Sequence, residues 1–524
     1  MSSSNTSRSA WVRGPVLAGL LLGASFYVPV PLLPFVAFLP LLRWLDDAST
    51  RSTSSRLWGG ILFGTVGFAI AAHFFLAVVR ISWLAIPLYV GFVLLIALRV
   101  GLTVTWIGWL RRRTGLGYGI LLPATWIPVE WLQTFGDLRM SGDHVGLTVA
   151  QYPFLIQIAD TVGPYGVGAF ALAVNGLIYD GFLAARDGDF RRPRMALGLL
   201  LVVVLSYDAW CWVRPLPEGE SLRVAIVQPN IPIDEKHDEA TSTRQFETLA
   251  RLSRQARQDG ASWIVWPESA RPGPVYHWLQ HDSTYRADDV AALARELDVT
   301  ILFGAEYVRV RTREDYDLFN AAMAVDPSGG LQPSWYGKRY LVPFAERTPF
   351  RSLLGRFVDG KEGEWKWLAG GFEPGPDLAP VDVHGVRAGV VVCFEQLFPT
   401  LSRRMKQDGA EFGVVITNDA WWGRTRFQQH QADALRMRAV ETRSDFVRAA
   451  NTGISGFYDA RGRMYQATDT YVEGVEVRDI RRSARPTTYS RTGDWIVAIL
   501  VAGLIGAWLQ AFRSTRIRPK SFAR

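Results

Sequence analysis

Cys393 stands where a reactive thiol could work. It ends the run 389–392, whose β-branched valines are typical of a buried strand. A thiol at the end of a strand can face a loop that substrates reach, and the thiolate is a strong nucleophile. Taken alone, such a cysteine is more often a small buried apolar residue. The other cysteine, Cys211, lies in an apolar helical pattern and is predicted to be an inert packing residue.

Glu268 and Lys338 supply the groups that a nucleophilic thiol needs. A free thiol, with a pKa of about 8.5, is mostly protonated at neutral pH, so it needs a base or a cation. Glu268, which follows the predicted strand 263–266, can accept the thiol proton as a general base. Lys338 can stabilise the thiolate and the oxyanion of a tetrahedral intermediate. Either residue alone could be a surface charge or half of an ion pair. Their joint placement with Cys393 indicates nucleophilic catalysis.

Three further residues are predicted to support this set. The backbone N–H of Phe394 is a candidate second oxyanion donor. Glu346 and Glu395 are additional carboxylates, which could orient Lys338, position an amine nucleophile or tune protonation.

The elements that must position these residues alternate between strand and helix. Several of the strands are apolar throughout, which is typical of strands covered on both faces, so the pattern predicts an α/β layered sandwich. The predicted strands are 223–228, 263–266, 300–304, 320–325, 389–392, 412–417 and 446–450, and the predicted helices are 241–259, 287–297, 401–408 and 428–442.

The rest of the chain has the pattern of a multi-pass membrane protein. A bilayer crossing needs roughly 20 apolar residues. Eight stretches are candidates, at 12–28, 30–44, 57–79, 84–110, 117–135, 162–184, 195–213 and 495–512. We therefore predict a membrane domain at 1–214, a catalytic domain at 215–490, and a last transmembrane helix with its tail at 491–524.

The basic residues predict the orientation. They cluster before the first stretch and then in every second loop, at 43–56, 111–113, 186–194 and 513–520. Because Lys and Arg accumulate on the cytoplasmic side, both termini are predicted to be cytoplasmic and the catalytic domain to face outward. In a bacterium with two membranes, that domain lies in the periplasm and the spans in the inner membrane. The net charge of +8 therefore indicates membrane topology and not a nucleic-acid partner.

Several motifs resemble those of the nitrilase, or carbon–nitrogen hydrolase, superfamily, whose fold is an αββα sandwich with a Glu-Lys-Cys triad. They are Trp-Pro-Glu at 266–268, Lys338 with Leu-Val-Pro-Phe-Ala-Glu at 341–346, Cys-Phe-Glu at 393–395, Asn-Asp-Ala-Trp-Trp-Gly at 418–423, and Arg-Ala-Ala-Asn-Thr-Gly at 448–453. Such a domain, inserted before the last of eight spans, resembles the apolipoprotein N-acyltransferase family.

The resemblance implies a two-step acyl transfer. Glu268 would be the base, Lys338 the oxyanion partner and Cys393 the acyl carrier, with Glu346 and Glu395 as further functional carboxylates. The donor would be a phospholipid, with phosphatidylethanolamine as the expected one, and the acceptor would be the α-amine of an S-diacylglyceryl cysteine at an apolipoprotein N-terminus. No cofactor is implied, and no His/Cys pair has metal-ligand spacing.

The chain also departs from the family pattern. Phe394 stands where a tyrosine is usual, and His237 where a tryptophan is common, in a loop that helps to guard the site. The outward loop from Arg139 to Gln151 lacks an expected aromatic pattern. His237, Arg139, Trp421 and Trp422 are the candidate substrate or lid residues.

Two other functions remain open from the sequence. A membrane-tethered amidase or nitrile hydrolase would use the same triad with water in the second step. The predicted membrane domain argues against it, because an enzyme with a soluble substrate needs at most one membrane anchor. A non-catalytic membrane scaffold is the other hypothesis, and the presence of all three triad residues argues against it.

Overall fold

A computed structural model describes residues 3–47, 52–186, 190–216, 218–236, 238–279, 283–285, 287–312, 314–353 and 371–516. The chain divides into two compact units. The first comprises Met1–Phe135, Met140–Val213 and Asp494–Arg524, and the second comprises Gly136–Arg139 and Arg214–Gly493.

The first unit is helical. Its helices are α1 (Ser3–Ser25), α2 (Leu39–Asp46), α3 (Thr53–Ala71), α4 (Ala85–Thr114), α5 (Tyr118–Leu132), α6 (Val145–Val149), α7 (Ala159–Arg186), α8 (Arg191–Val213) and α14 (Trp495–Arg516). Within the described residues, α4, α7, α8 and α14 are each long and apolar enough to cross a membrane. Helix α3 and the 3₁₀ helix His73–Arg80 would make a fifth, broken span, bent by 51°.

Proline and glycine explain where these helices differ from the predicted stretches. The stretch 30–44 forms a short 3₁₀ helix, Leu33–Phe35, followed by the eight-residue α2, because prolines interrupt it. The stretch 162–184 becomes the longer α7, which is kinked at Gly163 with φ 68° and ψ −178°. That positive φ is a conformation that glycine adopts without strain.

Small residues let the membrane helices pack closely. A Cβ atom added at Gly60 of α3 would lie 2.8 Å from the Cα of Gly101 in α4, and one at Gly64 would lie 2.9 Å from the Cα of Ala97. In a bilayer, lipid tails are as apolar as the side chains, so the hydrophobic effect does not drive helices together. Close packing of backbones at small residues stabilises their association instead.

The second unit contains two sheets. The first has the order β14-β1-β2-β5-β3-β4, with β6 pairing with β5 and β7 pairing with β6. Its strands are β1 (Glu220–Gln228), β2 (Trp263–Val265), β3 (Val275–Trp278), β4 (Ser283–Tyr285), β5 (Thr300–Val310), β6 (Tyr316–Val325), β7 (Tyr336–Gly337) and β14 (Gly474–Arg482). Strands β1, β2 and β5 run parallel to one another.

The second sheet has the order β13-β12-β11-β10-β9-β8. Its strands are β8 (Val381–Val383), β9 (Val386–Val392), β10 (Phe412–Thr417), β11 (Phe446–Ala450), β12 (Gly456–Tyr458) and β13 (Met464–Tyr465). The central strands β9, β10 and β11 are parallel, with Val414 opposite both Val390 and Val447.

Alternating side chains join the two sheets into a sandwich. Val224 and Ile226 of β1 share one buried cluster with Val390 and Val392 of β9. Their neighbours on β1 instead join a second cluster under α9 (Ser242–Gln258) and α10 (Asp288–Leu297). Helices α11 (Pro399–Gln407) and α12 (Phe427–Thr442) lie on the side of the second sheet, and α13 (Thr488–Thr492) follows β14. The layers are therefore α-β-β-α, as the resemblance implied, and each buried aliphatic side chain contributes about 1.5–3 kcal/mol.

Candidate active site

The three predicted catalytic residues follow strands of the sandwich. Glu268 comes three residues after β2 and Cys393 directly after β9, at the carboxyl ends of parallel strands in different sheets. Lys338 directly follows β7, and its N–H donates to the carbonyl of Asn320 at 2.8 Å. All three side chains are buried, and each contributes to the charge environment of the others. The structure therefore brings the predicted set together.

Glu268 is held as a hydrogen-bond acceptor by three donors. Its Oε2 accepts the backbone N–H of Asn418 at 2.8 Å, and its Oε1 accepts from the Asn320 amide at 2.8 Å. The Lys338 Nζ lies 3.4 Å from the same Oε1. These contacts fix the carboxylate in one orientation, which a general base requires.

Lys338 lies between two carboxylates. Its Nζ donates to Oε1 of Glu346 at 2.8 Å, in addition to its contact with Glu268, and its side chain is only 1% exposed. Burial acts to lower the pKa of Lys338, but the negative charges of Glu346 and Glu268 outweigh burial and raise it. These two contacts and the raised pKa hold Lys338 as a cation between Glu268 and Glu346.

Asn320 is a site residue that the sequence analysis did not identify. Its amide donates to Glu268 and, at 3.1 Å, to Glu346, so it bridges the two carboxylates that flank Lys338. It lies within β6, whose other residues are mainly apolar in this half of the strand. A buried amide inside an apolar strand is the signal that could have revealed it, because buried polar groups need partners.

Cys393 has an unusual backbone conformation and a protonated thiol. Its φ is 54°, in the left-handed region that is uncommon for a residue with a side chain. Burial raises the pKa of the Cys393 thiol, and the charge of Glu268 raises it further, while Lys338 acts to lower it. These effects favour the neutral thiol over the thiolate, so a reaction at this sulfur would need a base to accept the proton.

This pKa direction predicts how Cys393 reacts with iodoacetamide. In a Cys211→Ala protein, the alkylation rate of Cys393 should be low at neutral pH and should keep rising beyond the pKa of a free thiol, about 8.5. The physical reason is that burial and Glu268 disfavour the thiolate. The measurement is the labelled fraction against time from pH 6 to 10 by intact mass. A plateau below about pH 8 would mean a stabilised thiolate instead.

Glu395 shapes the loop that carries Lys338. Its Oε1 accepts from the Tyr336 hydroxyl at 2.8 Å and from the backbone N–H groups of Arg339 and Tyr340 at 2.8 and 3.0 Å. Its Oε2 accepts the N–H of Val392 at 2.8 Å. Burial raises the pKa of Glu395, while the backbone donors act to lower it. Glu395 thus joins β9, which ends at Val392, to the segment that begins at Lys338.

Phe394 lies in the 3₁₀ helix Cys393–Leu397, and its ring packs edge-on against Phe398 with centroids 5.0 Å apart. In the same 3₁₀ helix, Gln396 donates to the carbonyl of Cys393 at 2.9 Å and accepts from Arg448 at 3.1 Å. Arg448 also pairs with the fully buried Asp419 at 2.9 Å. Residues of the 418–423 and 448–453 motifs therefore stabilise, through Gln396, the turn that contains Cys393.

The candidate lid residues have different surroundings. Arg139 belongs to the second unit, and its guanidinium lies 4.5 Å from the ring centre of Tyr340. Trp422 is buried, with its ring 5.2 Å from that of Phe427, and Trp421 is half-buried beside it. Both tryptophans follow Asn418, which contacts Glu268. His237 lies outside the described residues.

Lys236 is a further buried lysine that the sequence analysis missed. Burial lowers its pKa to about 8, while the charge of Glu268 acts to raise it. Its loop is tied to the site, because Asn451 binds the N–H and carbonyl of Ile231 and also the side chain of Asn418. In the part of the chain that the structure describes, no group of His, Cys, Asp and Glu side chains could hold a metal ion.

Comparison with known proteins decides the family. The carbon–nitrogen hydrolase model matches residues 223–489, and the apolipoprotein N-acyltransferase N-terminal domain model matches residues 18–177. An apolipoprotein N-acyltransferase of Geobacter metallireducens is 32% identical over 96% of this chain and 95% of its own. One of Chlorobaculum tepidum is 28% identical over 94% of this chain and 95% of its own. The chain belongs to the apolipoprotein N-acyltransferase family.

Membership of the apolipoprotein N-acyltransferase family confirms the resemblance drawn from the motifs and makes the chain an acyltransferase of the carbon–nitrogen hydrolase superfamily. The similarity to this family extends over the helical unit as well as the catalytic domain. This extent does not favour the amidase alternative. The apolar helices and the family both identify a bacterial membrane protein.

Proposed function

We propose that this chain transfers an acyl group from a phospholipid to the N-terminal α-amine of a diacylglyceryl apolipoprotein, through a thioester on Cys393. Apolipoprotein N-acylation is the activity for which the family is named. The observation that supports this chemistry most directly is the buried contact of Lys338 with Glu268 and Glu346 beside the Cys393 thiol.

In the first step, the Cys393 sulfur attacks the carbonyl carbon of a phospholipid ester. Glu268 accepts the thiol proton as the S–C bond forms, and Lys338 and the Phe394 N–H stabilise the resulting oxyanion. The bond from that carbon to the glycerol oxygen then breaks. The departing oxygen takes the proton from Glu268, which leaves a lysophospholipid and a thioester.

In the second step, the α-amine of the acceptor attacks the thioester carbonyl, and Glu268 accepts a proton from its nitrogen. The C–S bond breaks, the sulfur regains the proton from Glu268, and the product is an amide. Cys393 is only 5% exposed, which supports protection of the thioester from water until the amine arrives.

Phosphatidylethanolamine is the donor that we propose, as the family resemblance implies. The whole acyl chain of such a donor must stay in an apolar phase while its ester reaches the thiol, and a chain with several membrane helices suits that requirement. Of the remaining candidate residues, we propose that Arg139, Trp421, Trp422 and His237 contact substrates.

We also propose the finer membrane topology. Eight apolar segments, with the Pro-interrupted stretch 30–44 as the second, would leave both termini in the cytoplasm and the catalytic domain in the periplasm. The arginine clusters at 111–113 and 191–194 support this orientation. In a protein lacking its native cysteines, a cysteine placed at 257 should react with an impermeant maleimide in spheroplasts. A cysteine at 112 should react only after lysis, and the reverse pattern would overturn the orientation.

The decisive test uses purified protein in detergent, phosphatidylethanolamine with a labelled acyl chain, and a synthetic diacylglyceryl-cysteinyl peptide. The peptide should gain the mass of one labelled acyl chain. A peptide with a blocked α-amine and a Cys393→Ala protein are the controls, and neither should yield product. Hydrolysis of small amides without any peptide acylation would instead establish the amidase alternative.

A further inference from the structure

A cavity of about 410 Å³ opens beside the segment that carries Lys338. Among the described residues, its wall includes the side chains of Asp137, Arg139, Arg339, Arg347 and Arg351. We call this cavity the arginine pocket. Small-molecule sites typically occupy about 300–1,000 Å³, so the pocket has room for a lipid headgroup.

Positive charge is in excess in the arginine pocket. Arg347 and Arg351 share the carboxylate of Glu373, at 3.2 and 3.8 Å. Counting the four arginines of the wall against Asp137 of the wall and the adjoining Glu373, positive charges outnumber negative ones by four to two. The ion pairs with Glu373 are more than a third exposed, so they contribute little and an incoming anion can replace them.

The wall formed by the loop after α5 is held in place. Arg139 lies over the ring of Tyr340 at 4.5 Å, and its Nε donates to the carbonyl of Gly136 at 2.9 Å. Asp137 accepts the N–H of Phe350 at 2.8 Å. The Arg139 guanidinium is thus oriented before a ligand binds, which reduces the cost of ordering it.

The arginine pocket adjoins the catalytic centre through a single segment of chain. Arg339 follows Lys338 directly, and its N–H donates to Glu395. Three residues later, the N–H of Val342 donates to Oε2 of Glu346 at 2.8 Å. An anion in the pocket would therefore lie close to the groups that activate the substrate carbonyl.

We propose that the arginine pocket binds the phosphodiester of the donor phospholipid. A guanidinium is planar and presents paired N–H donors that match phosphate oxygens, which makes arginine the preferred partner for this group. This inference rests on the proposed function, in which a phospholipid is the acyl donor. It assigns Arg139 and Arg347 to donor binding and not to acyl transfer.

The test compares two acyl donors of the same chain length on the full-length protein in detergent. One is dipalmitoyl phosphatidylethanolamine, and the other is p-nitrophenyl palmitate, which carries no phosphate. Acylation of Cys393 is followed by intact mass in the wild type, Arg139→Gln, Arg347→Gln and the double variant. Arg257→Gln, an exposed arginine of α9 that pairs with Asp298, is the matched control.

The ratio of the acylation rate from the phospholipid to that from the phosphate-free ester should fall about tenfold in each single variant, as expected for one lost charge-assisted hydrogen bond. The change should appear as a higher KM for the phospholipid, and Arg257→Gln should match the wild type. An unchanged ratio, or an equal loss with both donors, would overturn the proposal.

Competitors separate a lipid headgroup from a free anion. Glycerophosphoethanolamine should inhibit acylation from the phospholipid, and inorganic phosphate at the same concentration should not. Inhibition by inorganic phosphate alone would make the pocket a free-anion site and refute a headgroup role. A wild-type protein that reacts with the p-nitrophenyl ester but not with phospholipid would refute the donor in the proposed function, and the pocket assignment with it.

Discussion

Replacing Glu268 with glutamine should slow acylation of Cys393 by about a hundredfold to ten-thousandfold, the usual contribution of a general base. The same change should make the thiol more reactive toward iodoacetamide. The charge of Glu268 is one of the causes that raise the Cys393 pKa, so its removal increases the thiolate fraction. Enzymatic acylation and simple alkylation should thus change in opposite directions.

A slower acylation together with a faster alkylation distinguishes a general base from a carboxylate with a purely structural role. Acylation is measured by intact mass with phospholipid, and alkylation with iodoacetamide at pH 8, both in a Cys211→Ala background. Glu296→Gln is the control, because Glu296 is an exposed partner of Arg254 on the surface of the same domain. If both rates fell together in Glu268→Gln, the protein would be misfolded or Glu268 would have another role.

Replacing Lys338 with methionine should reduce acylation by about a thousandfold, the loss typical of removing an oxyanion donor. It should also slow alkylation, because Lys338 acts to lower the pKa of Cys393. The variant leaves Glu268 and Glu346 close together without their shared cation. Breaking such a buried pair destabilises a protein by about 3–5 kcal/mol, so its melting temperature should also fall.

Lys406→Met separates stability from chemistry in this experiment. Lys406 is also buried, and burial lowers its pKa to about 8. Its Nζ donates to Ser444 and to the carbonyl of Ser483, and the charges that act on it are those of Asp445 and Glu411, none of which belongs to the proposed catalytic set. This variant should lose stability while the folded fraction keeps its acylation rate. If Lys406→Met lost acylation to the same degree as Lys338→Met, the oxyanion role would be unsupported.

The central strands of the catalytic domain could be predicted because each is a short apolar run with a polar residue after it. The predicted strands 412–417 and 446–450 have the same bounds as β10 and β11. Strand β14 was missed, because it alternates valines with charged residues and ends in two arginines. Its place is set by pairing with β1, a long-range contact that local patterns do not encode.

The catalytic groups could be proposed from the sequence because their chemistry is distinctive, whereas their partners could not. Asn320 has no neighbour in sequence that suggests a bridge between Glu268 and Glu346. Likewise, the hydrogen bonds of Glu395 connect residues more than 50 positions apart. The sequence predicts Arg139 as a lid residue, but its stacking on Tyr340 depends on the fold of a segment about 200 residues away.

The measurement that tests the thioester directly is intact-protein mass spectrometry after incubation with phosphatidylethanolamine and no acceptor. We predict a mass increase of one acyl chain, removable by hydroxylamine, mapped to Cys393 and absent from Cys393→Ala. Adding the diacylglyceryl peptide should then discharge it. An acylated peptide formed by wild-type protein that never carries acyl on Cys393 would contradict the covalent mechanism.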